Sequence, residues 1–255
     1  MSKIIACYKW VADEADLKIN VDLSVDISKA RGKISDYDKN AIQTAVLAAK
    51  NIGGKAVSLT FGTAKAKPSL KDALSRGPEE AYWINAEEAV NTDGVVTARA
   101  LAAAIKKIDD VNLVICAEGA SDTYARQIAP RIGALLDWPV VTSVCKVDID
   151  GHILTAVRKL DDCMQMVRVD MPAVMAVLPE INDAPIPGLK AVTSARKKPV
   201  TEFKAHNLGI DFTPKTEVTE MKGYVMNRKN IILNEGEAAD KVKELASILR
   251  REGVL

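Results

Sequence analysis

The run Glu118-Gly119-Ala120-Ser121-Asp122-Thr123-Tyr124-Ala125 places small side chains, hydroxyls and carboxylates directly after the apolar run Val111–Ala117. Where such a loop leads from a buried strand into a helix, its backbone N–H groups can approach a phosphate at the helix N-terminus. The chemistry on offer is phosphate or adenylate binding. The same residues also fit a capped strand-to-helix loop in which Ser121 or Asp122 satisfies orphan N–H donors.

Other chemistries lack their parts. No G-x-G-x-x-G follows the first apolar run and no G-x-x-x-x-G-K-[ST] occurs, so the dinucleotide fingerprint and the Walker loop are both missing. His152 stands beside a glycine turn, His206 lies in a polar tail, and no G-x-S-x-G supports a nucleophile. Asp161 and Asp162 are adjacent, so on an extended segment they point to opposite faces and would not share a substrate. They read as loop charges, with one placed to pair Arg158. Cys7, Cys116, Cys145 and Cys163 are far apart with no C-x-x-C, which predicts reduced, buried thiols and no metal site.

The elements that must position the loop follow from periodicity. Residues 4–8 read as a short strand, followed by an irregular polar segment up to Lys33. Ala41, Ile42, Ala45, Val46 and Ala49 then recur at helical spacing, with Ser35, Asp36 or Asp38 as cap and Gly53-Gly54 as the stop. Residues 56–61 predict a strand, 68–75 a helix stopping before Gly77-Pro78, 81–84 a strand and 92–107 an Ala-rich helix. Val111–Ala117, apolar but for Asn112, reads as a strand buried on both faces. A loop and helix over 119–137, a strand over 140–147, a hairpin through Asp150-Gly151 and strands over 167–177 broken by Pro172 complete the core. Pro179, Pro185, Pro187 and Pro199 then interrupt the chain, so the core is expected to end near residue 190. A tail with the basic cluster Arg196-Lys197-Lys198 and a final amphipathic helix over 238–251 remains, and it needs a partner to lie on.

Strand and helix alternate in the manner of a doubly wound α/β fold with a mostly parallel sheet. In that fold, ligands bind at the carboxyl ends of strands, which points to the loops after Tyr8, Phe61 and Ala117. Lys plus Arg (35) balances Asp plus Glu (34), so neither nucleic acid nor an anionic membrane is a favoured partner. With 48% apolar and 27% charged residues the chain reads as globular. The start lacks a signal-like apolar stretch and no window approaches a membrane span, so the expectation is cytoplasmic, without membrane insertion.

The stretch Ala156-Val157-Arg158-Lys159-Leu160-Asp161-Asp162, with Gln165, Val167 and Pro172-Ala173-Val174-Met175-Ala176, resembles the signature of electron-transfer flavoprotein β subunits. Cys163 departs from it, standing where Gly, Asp or Glu is usual. Further similar segments are 4–11, Lys33-Ile34-Ser35-Asp36-Tyr37-Asp38-Lys39-Asn40-Ala41, Leu74-Ser75-Arg76-Gly77-Pro78, Leu136-Asp137-Trp138-Pro139 and Lys197-Lys198-Pro199, in family order across nearly the whole chain. Ser75-Arg76-Gly77-Pro78 and the 119–125 loop look closest to the FixA-like branch, which serves anaerobic carnitine and related acyl-CoA metabolism.

The resemblance implies a Rossmann-like, adenine nucleotide α-hydrolase-like domain over 1–190 and an extended C-terminal arm and helix over 191–255 that packs on a FixB-like α subunit. It implies an electron carrier rather than an enzyme, with no catalytic residue. FAD would be shared with the α subunit, and AMP would be held by this chain. Cys7 and Lys9 would line the adenine end, Ser35 and Asp38 the neighbouring loop, and Phe61 and Gly62 another wall. Gly119, Ser121, Asp122, Thr123, Tyr124, Ala125, Gln127 and Ile128 would form the phosphate cradle. Tyr37 would face the flavin or pack in the core. Leu189, within Ile186-Pro187-Gly188-Leu189-Lys190, would anchor an acyl-CoA dehydrogenase-type partner or tuck against its own core, and a membrane quinone oxidoreductase would be a further partner. Some family members instead hold a second FAD and use NADH to bifurcate electrons, with a D-G-D-T-A-Q-V-G-P-like run at the cradle. Here Asp122 and residues 127–130 keep that frame, while Thr123 and Tyr124 alter its centre. Tyr124 would crowd an isoalloxazine or a nicotinamide, so AMP is the expected nucleotide and bifurcation the alternative.

Overall fold

The computed structural model describes residues 1–224 and 228–255. β1 (Lys3–Cys7) opens the chain, buried along nearly its whole length. Residues 9–33 are not simply irregular: β2 (Trp10–Ala12) pairs with β5 (Gly32–Ile34), and β3 (Lys18–Ile19) with β4 (Val25–Asp26), as two small antiparallel pairs. Strands of two or three residues carry too little alternation to be recognised by pattern.

α1 (Asp36–Ile52) ends where Gly53 takes the left-handed conformation, φ 63°, and its N–H closes on Ala49 O. There follow β6 (Lys55–Gly62), α2 (Lys67–Ser75), β7 (Glu80–Asn85), α3 (Gly94–Ile105), β8 (Val111–Ala117) and α4 (Ile128–Leu136). Asp93 caps α3 by accepting from Val95 N and Val96 N. β9 (Val140–Asp150) turns through Gly151 into β10 (Ile153–Lys159), which hairpins into β11 (Met164–Asp170), and β12 (Ala173–Val177) follows a cis Met171-Pro172 bond. α5 (Leu189–Ser194), β13 (Val200–Lys204) and α6 (Ala238–Arg251) complete the described elements.

Among the described residues, nine strands form one sheet in the order β11-β10-β9-β12-β8-β1-β6-β7-β13, and every pairing in it except those of β10 is parallel. Alternate residues of the central strands feed two cores. Ile4, Ala6, Leu113, Ile115, Ala173 and Met175 pack under α1, while Ile5, Cys7, Val114, Cys116, Val174 and Ala176 pack under α3 and α4. A strand covered on both faces is apolar at nearly every position, which is why these segments read as near-continuous hydrophobic runs. The doubly wound α/β architecture is present.

The sheet does not stop near residue 190. β13 adds a parallel edge strand beside β7, pairing Val200 with Ala81 through Lys204 with Asn85, and Leu208 is buried in the core. Pro199 precedes the edge strand, where its missing N–H forfeits no ladder bond, and its carbonyl accepts from Ala81 N at 3.1 Å. Beyond it, Phe212 folds back to Phe61 with ring centroids 6.1 Å apart. α6 buries none of its residues, and Val242 and Leu245 are exposed. Among the described residues, no helix is long and apolar enough to cross a membrane.

Candidate functional site

From β1 the chain lays β6 and then β7 to one side, then crosses back to lay β8 and β12 on the other. The connections leaving β1 and β8 therefore diverge to opposite faces, the switch point at whose carboxyl-end crevice doubly wound folds take their ligands. Three segments meet there: Tyr8 and Lys9 after β1, Ser35 to Asp38 at the start of α1, and Glu118 to Asp122 after β8.

These segments are bonded to one another. Lys9 Nζ donates to Asp122 Oδ2 at 2.6 Å, and the Lys9 backbone N–H donates to Asp38 Oδ2 at 2.7 Å. Ser35 N donates to Lys9 O at 3.0 Å, and Ser121 N donates to Ser35 Oγ at 3.1 Å. Ser35 is the N-cap of α1, yet its hydroxyl makes no cap bond within that helix. It serves the 119–127 loop instead.

Asp38 is buried, and desolvation pushes its carboxyl up to about 7, with the Asp122 charge adding to the rise. The N–H groups of Lys9 and Ala117 act in the opposite direction. Beneath it, a hydrogen bond with the Cys116 thiol, followed by burial, raises the Cys7 thiol well above its ordinary range. Both sulfurs are buried, as is the Tyr8 ring, whose hydroxyl lies 2.9 Å from Ser69 Oγ.

The middle of the loop turns inward. Tyr124 and Arg126 both adopt left-handed backbone conformations, φ 44° and 56°, costly for side-chain-bearing residues. Tyr124 lies so close over Gly119 that a Cβ there would stand 2.7 Å from Tyr124 Cδ2. Its hydroxyl donates to Glu118 Oε2 at 3.2 Å, its ring meets Tyr37 edge-on with centroids 5.3 Å apart, and the Arg126 guanidinium lies 4.9 Å from the ring centre. Glu118 also accepts from Ser143 Oγ at 3.0 Å. This carboxylate organises the loop, and its only sequence signal was its place immediately after an apolar strand.

A family model for the electron transfer flavoprotein domain matches residues 22–208. The chain belongs to that family. Electron transfer flavoproteins are electron carriers associated with flavin. The matched segment runs past β13 to Leu208, where the buried core also ends.

The expected residues of this electron transfer flavoprotein fall into groups. Lys9, Ser35, Asp38, Gly119, Ser121 and Asp122 converge at the β1/β8 mouth, whereas Cys7 is buried in the core against Cys116. Phe61 and Gly62 end β6, the neighbouring strand, with Thr60 Oγ1 donating to Tyr8 O at 2.9 Å and Phe212 standing beside Phe61. Thr123 and Ala125 are exposed. Gln127 and Ile128 lie at the start of α4, where Gln127 Oε1 accepts from Arg131 instead of facing the crevice mouth. The loop is thus longer than a simple cap: α4 begins only at Ile128, and Ser121 bonds toward α1 rather than α4. Tyr37 is half-buried at the rim against Tyr124.

Leu189 lies on α5, which packs against α2. It is the first residue of α5 and not part of a loop, and it is 84% exposed, with Ile186 at 94%. Arg158 pairs with neither Asp161 nor Asp162. Its guanidinium donates to Thr142 O, Thr142 Oγ1 and Gln165 Oε1, because in the hairpin it projects across β9 while the two aspartates occupy the turn. Cys163, in that same turn, is exposed, unlike the buried thiol expected. Among the described residues, no cluster of His, Cys, Asp and Glu could hold a metal ion.

Proposed function

We propose that this chain is the β-type subunit of an electron-transfer flavoprotein of the FixA-like branch, working in the cytoplasm as a heterodimer with an α-type, FixB-like subunit. The crevice at the switch point carries this reading. It brings a cation (Lys9) and two hydroxyl-bearing residues (Ser35 and Ser121) to the place where a doubly wound sheet receives a nucleotide. An adenine nucleotide, AMP, fits the donor set. Lys9, expected at the adenine end but with its ammonium 2.6 Å from Asp122 of the 119–127 loop, would instead neutralise the phosphate, backbone N–H groups of that loop would cradle it, and Phe61 and Gly62 would wall the nucleotide. Tyr124 already occupies the space over Gly119, which favours the compact AMP over a second FAD.

FAD, shared with the α subunit, supplies the redox chemistry when bound, and the protein sets its environment through nearby charge and hydrogen bonds. Tyr37, half-exposed at the rim, is placed to cover one side of the flavin. The exposed Ile186 and Leu189 form an apolar projection that would dock an acyl-CoA dehydrogenase-type enzyme, with a quinone- or ferredoxin-linked oxidoreductase at the other end of the chain of transfer. The arm beyond the sheet, with α6 and its exposed Val242 and Leu245, would lie on the α subunit.

The test is to co-express the chain with an α-type subunit, purify the complex, denature it and separate the released nucleotides by chromatography. One FAD and one AMP per heterodimer are expected. Two FAD would replace this reading with the bifurcating one, and a complex devoid of flavin would overturn both.

A further inference from the structure

We propose that Asp122 is an internal anion that occupies Lys9 in place of a ligand's phosphate, so that the 119–127 loop sets the crevice's selectivity among adenine compounds by charge. This rests on the nucleotide-site reading above. The ion pair stands at the mouth and not in the core: the Lys9 side chain is 47% exposed and that of Asp122 35%. Solvent, and hence a phosphate, can reach it.

Charges around the crevice leave Lys9 as the cation a phosphate would contest. Among the described residues of the loop and its flank, Arg126 lies on the Tyr124 ring with Nη2 3.9 Å from Glu118 Oε2, and Arg131 holds Gln127 Oε1. At the start of α1, Asp36 is bonded to Lys33 and Lys39, and Ser35 accepts from Ser121. Lys9 alone spans the mouth, and it faces two carboxylates: its ammonium meets Asp122, and its N–H meets Asp38. A phosphate arriving beside Lys9 adds a third acidic group in one narrow space, and like charges so close are disfavoured.

The acidic group able to leave is Asp122. Asp38 is buried on α1, whereas Asp122 sits on an exposed loop whose Tyr124 and Arg126 hold costly left-handed conformations. In the closed form, Asp122 Oδ1 also accepts from Thr123 N at 2.8 Å, a bond internal to the loop that can travel with it. A phosphate-free ligand such as adenosine has no need of Lys9 and leaves the pair intact.

The test compares AMP with adenosine on the full-length chain, freed of nucleotide, by titration calorimetry. Asp122→Asn should tighten AMP about fivefold, the strength of a half-exposed ion pair, and leave adenosine unchanged. Lys9→Gln should weaken AMP until it binds no better than adenosine. If Asp122→Asn weakens AMP and adenosine together, Asp122 is a direct contact or a loop organiser and the proposal falls while the nucleotide site stands. An AMP affinity unmoved by Asp122→Asn also sinks the proposal alone. A parent protein that binds neither AMP nor adenosine overturns the site and the proposal with it.

Discussion

The backbone N–H of Lys9 donates to Asp38 Oδ2 at 2.7 Å, joining the end of β1 to the first turn of α1 around a buried carboxyl. That carboxyl titrates near 7, chiefly because burial disfavours its charged form. The unfolded chain releases the same proton near its ordinary value of 3.8.

Between those two values the folded protein holds a proton the unfolded chain has lost. Asp38 therefore favours folding less and less as pH rises from about 4 to about 7, and the penalty is complete above that. Asp38→Asn should flatten this dependence and stabilise the protein at pH 8 by up to about 4 kcal/mol, with little effect at pH 4. Urea unfolding at the two pH values checks it. A variant less stable than its parent at pH 8 would show that the bond to Lys9 outweighs the burial penalty.

Gly119→Ala should disturb the loop and leave the sheet intact. The new Cβ would stand 2.7 Å from Tyr124 Cδ2 and 3.1 Å from Tyr124 Cα, so the backbone as well as the ring must shift. A loss of about 1–3 kcal/mol is expected, with faster hydrogen exchange confined to residues 118–127. Unchanged exchange there would mean the close approach is relieved by the ring alone.

Lys198 holds the end of the sheet. Its ammonium donates to Leu74 O at 2.9 Å in the last turn of α2 and to Gly77 O at 3.2 Å and Pro78 O at 2.6 Å just beyond it, and burial lowers its pKa. Lys198→Met keeps the stem and removes the donors. It should destabilise the fold by about 1–3 kcal/mol and open β13 to proteolysis before β7 unfolds. Global unfolding without earlier cleavage near residue 200 would count against this role.

Leu189 is expected to matter for transfer and not for folding. Because it is 84% exposed, Leu189→Ala should change stability by less than about 0.5 kcal/mol. If the Ile186 and Leu189 projection is a docking anchor, the rate of flavin reduction by an acyl-CoA dehydrogenase should fall about tenfold or more. An unchanged rate with unchanged stability would place the docking surface elsewhere.

The order of elements was legible along the chain because the central strands are covered on both faces. Val111–Ala117 has no room for a polar residue at its centre, so the strand announces itself, and Gly53-Gly54 and Gly77-Pro78 mark where helices must stop. β13 was hidden because an edge strand with exposed Val200 and Glu202 lacks that signature, and its prolines pointed to an ended core. β2 to β5 were hidden because they are too short to show alternation.

By itself the sequence determined which loops would meet, since a doubly wound chain brings the carboxyl ends of its strands to one edge. It could not determine what those loops do to one another. Lys9 and Asp122 are 113 residues apart, Ser35 and Ser121 are 86 apart, and no local pattern couples either pair. Tyr124 folding over Gly119 likewise depends on backbone angles that propensity disfavours and that only the surrounding contacts with Glu118, Tyr37 and Arg126 hold in place. Periodicity is a property of neighbours along a chain, whereas a site is made by side chains that meet only once the sheet has closed the distance between them.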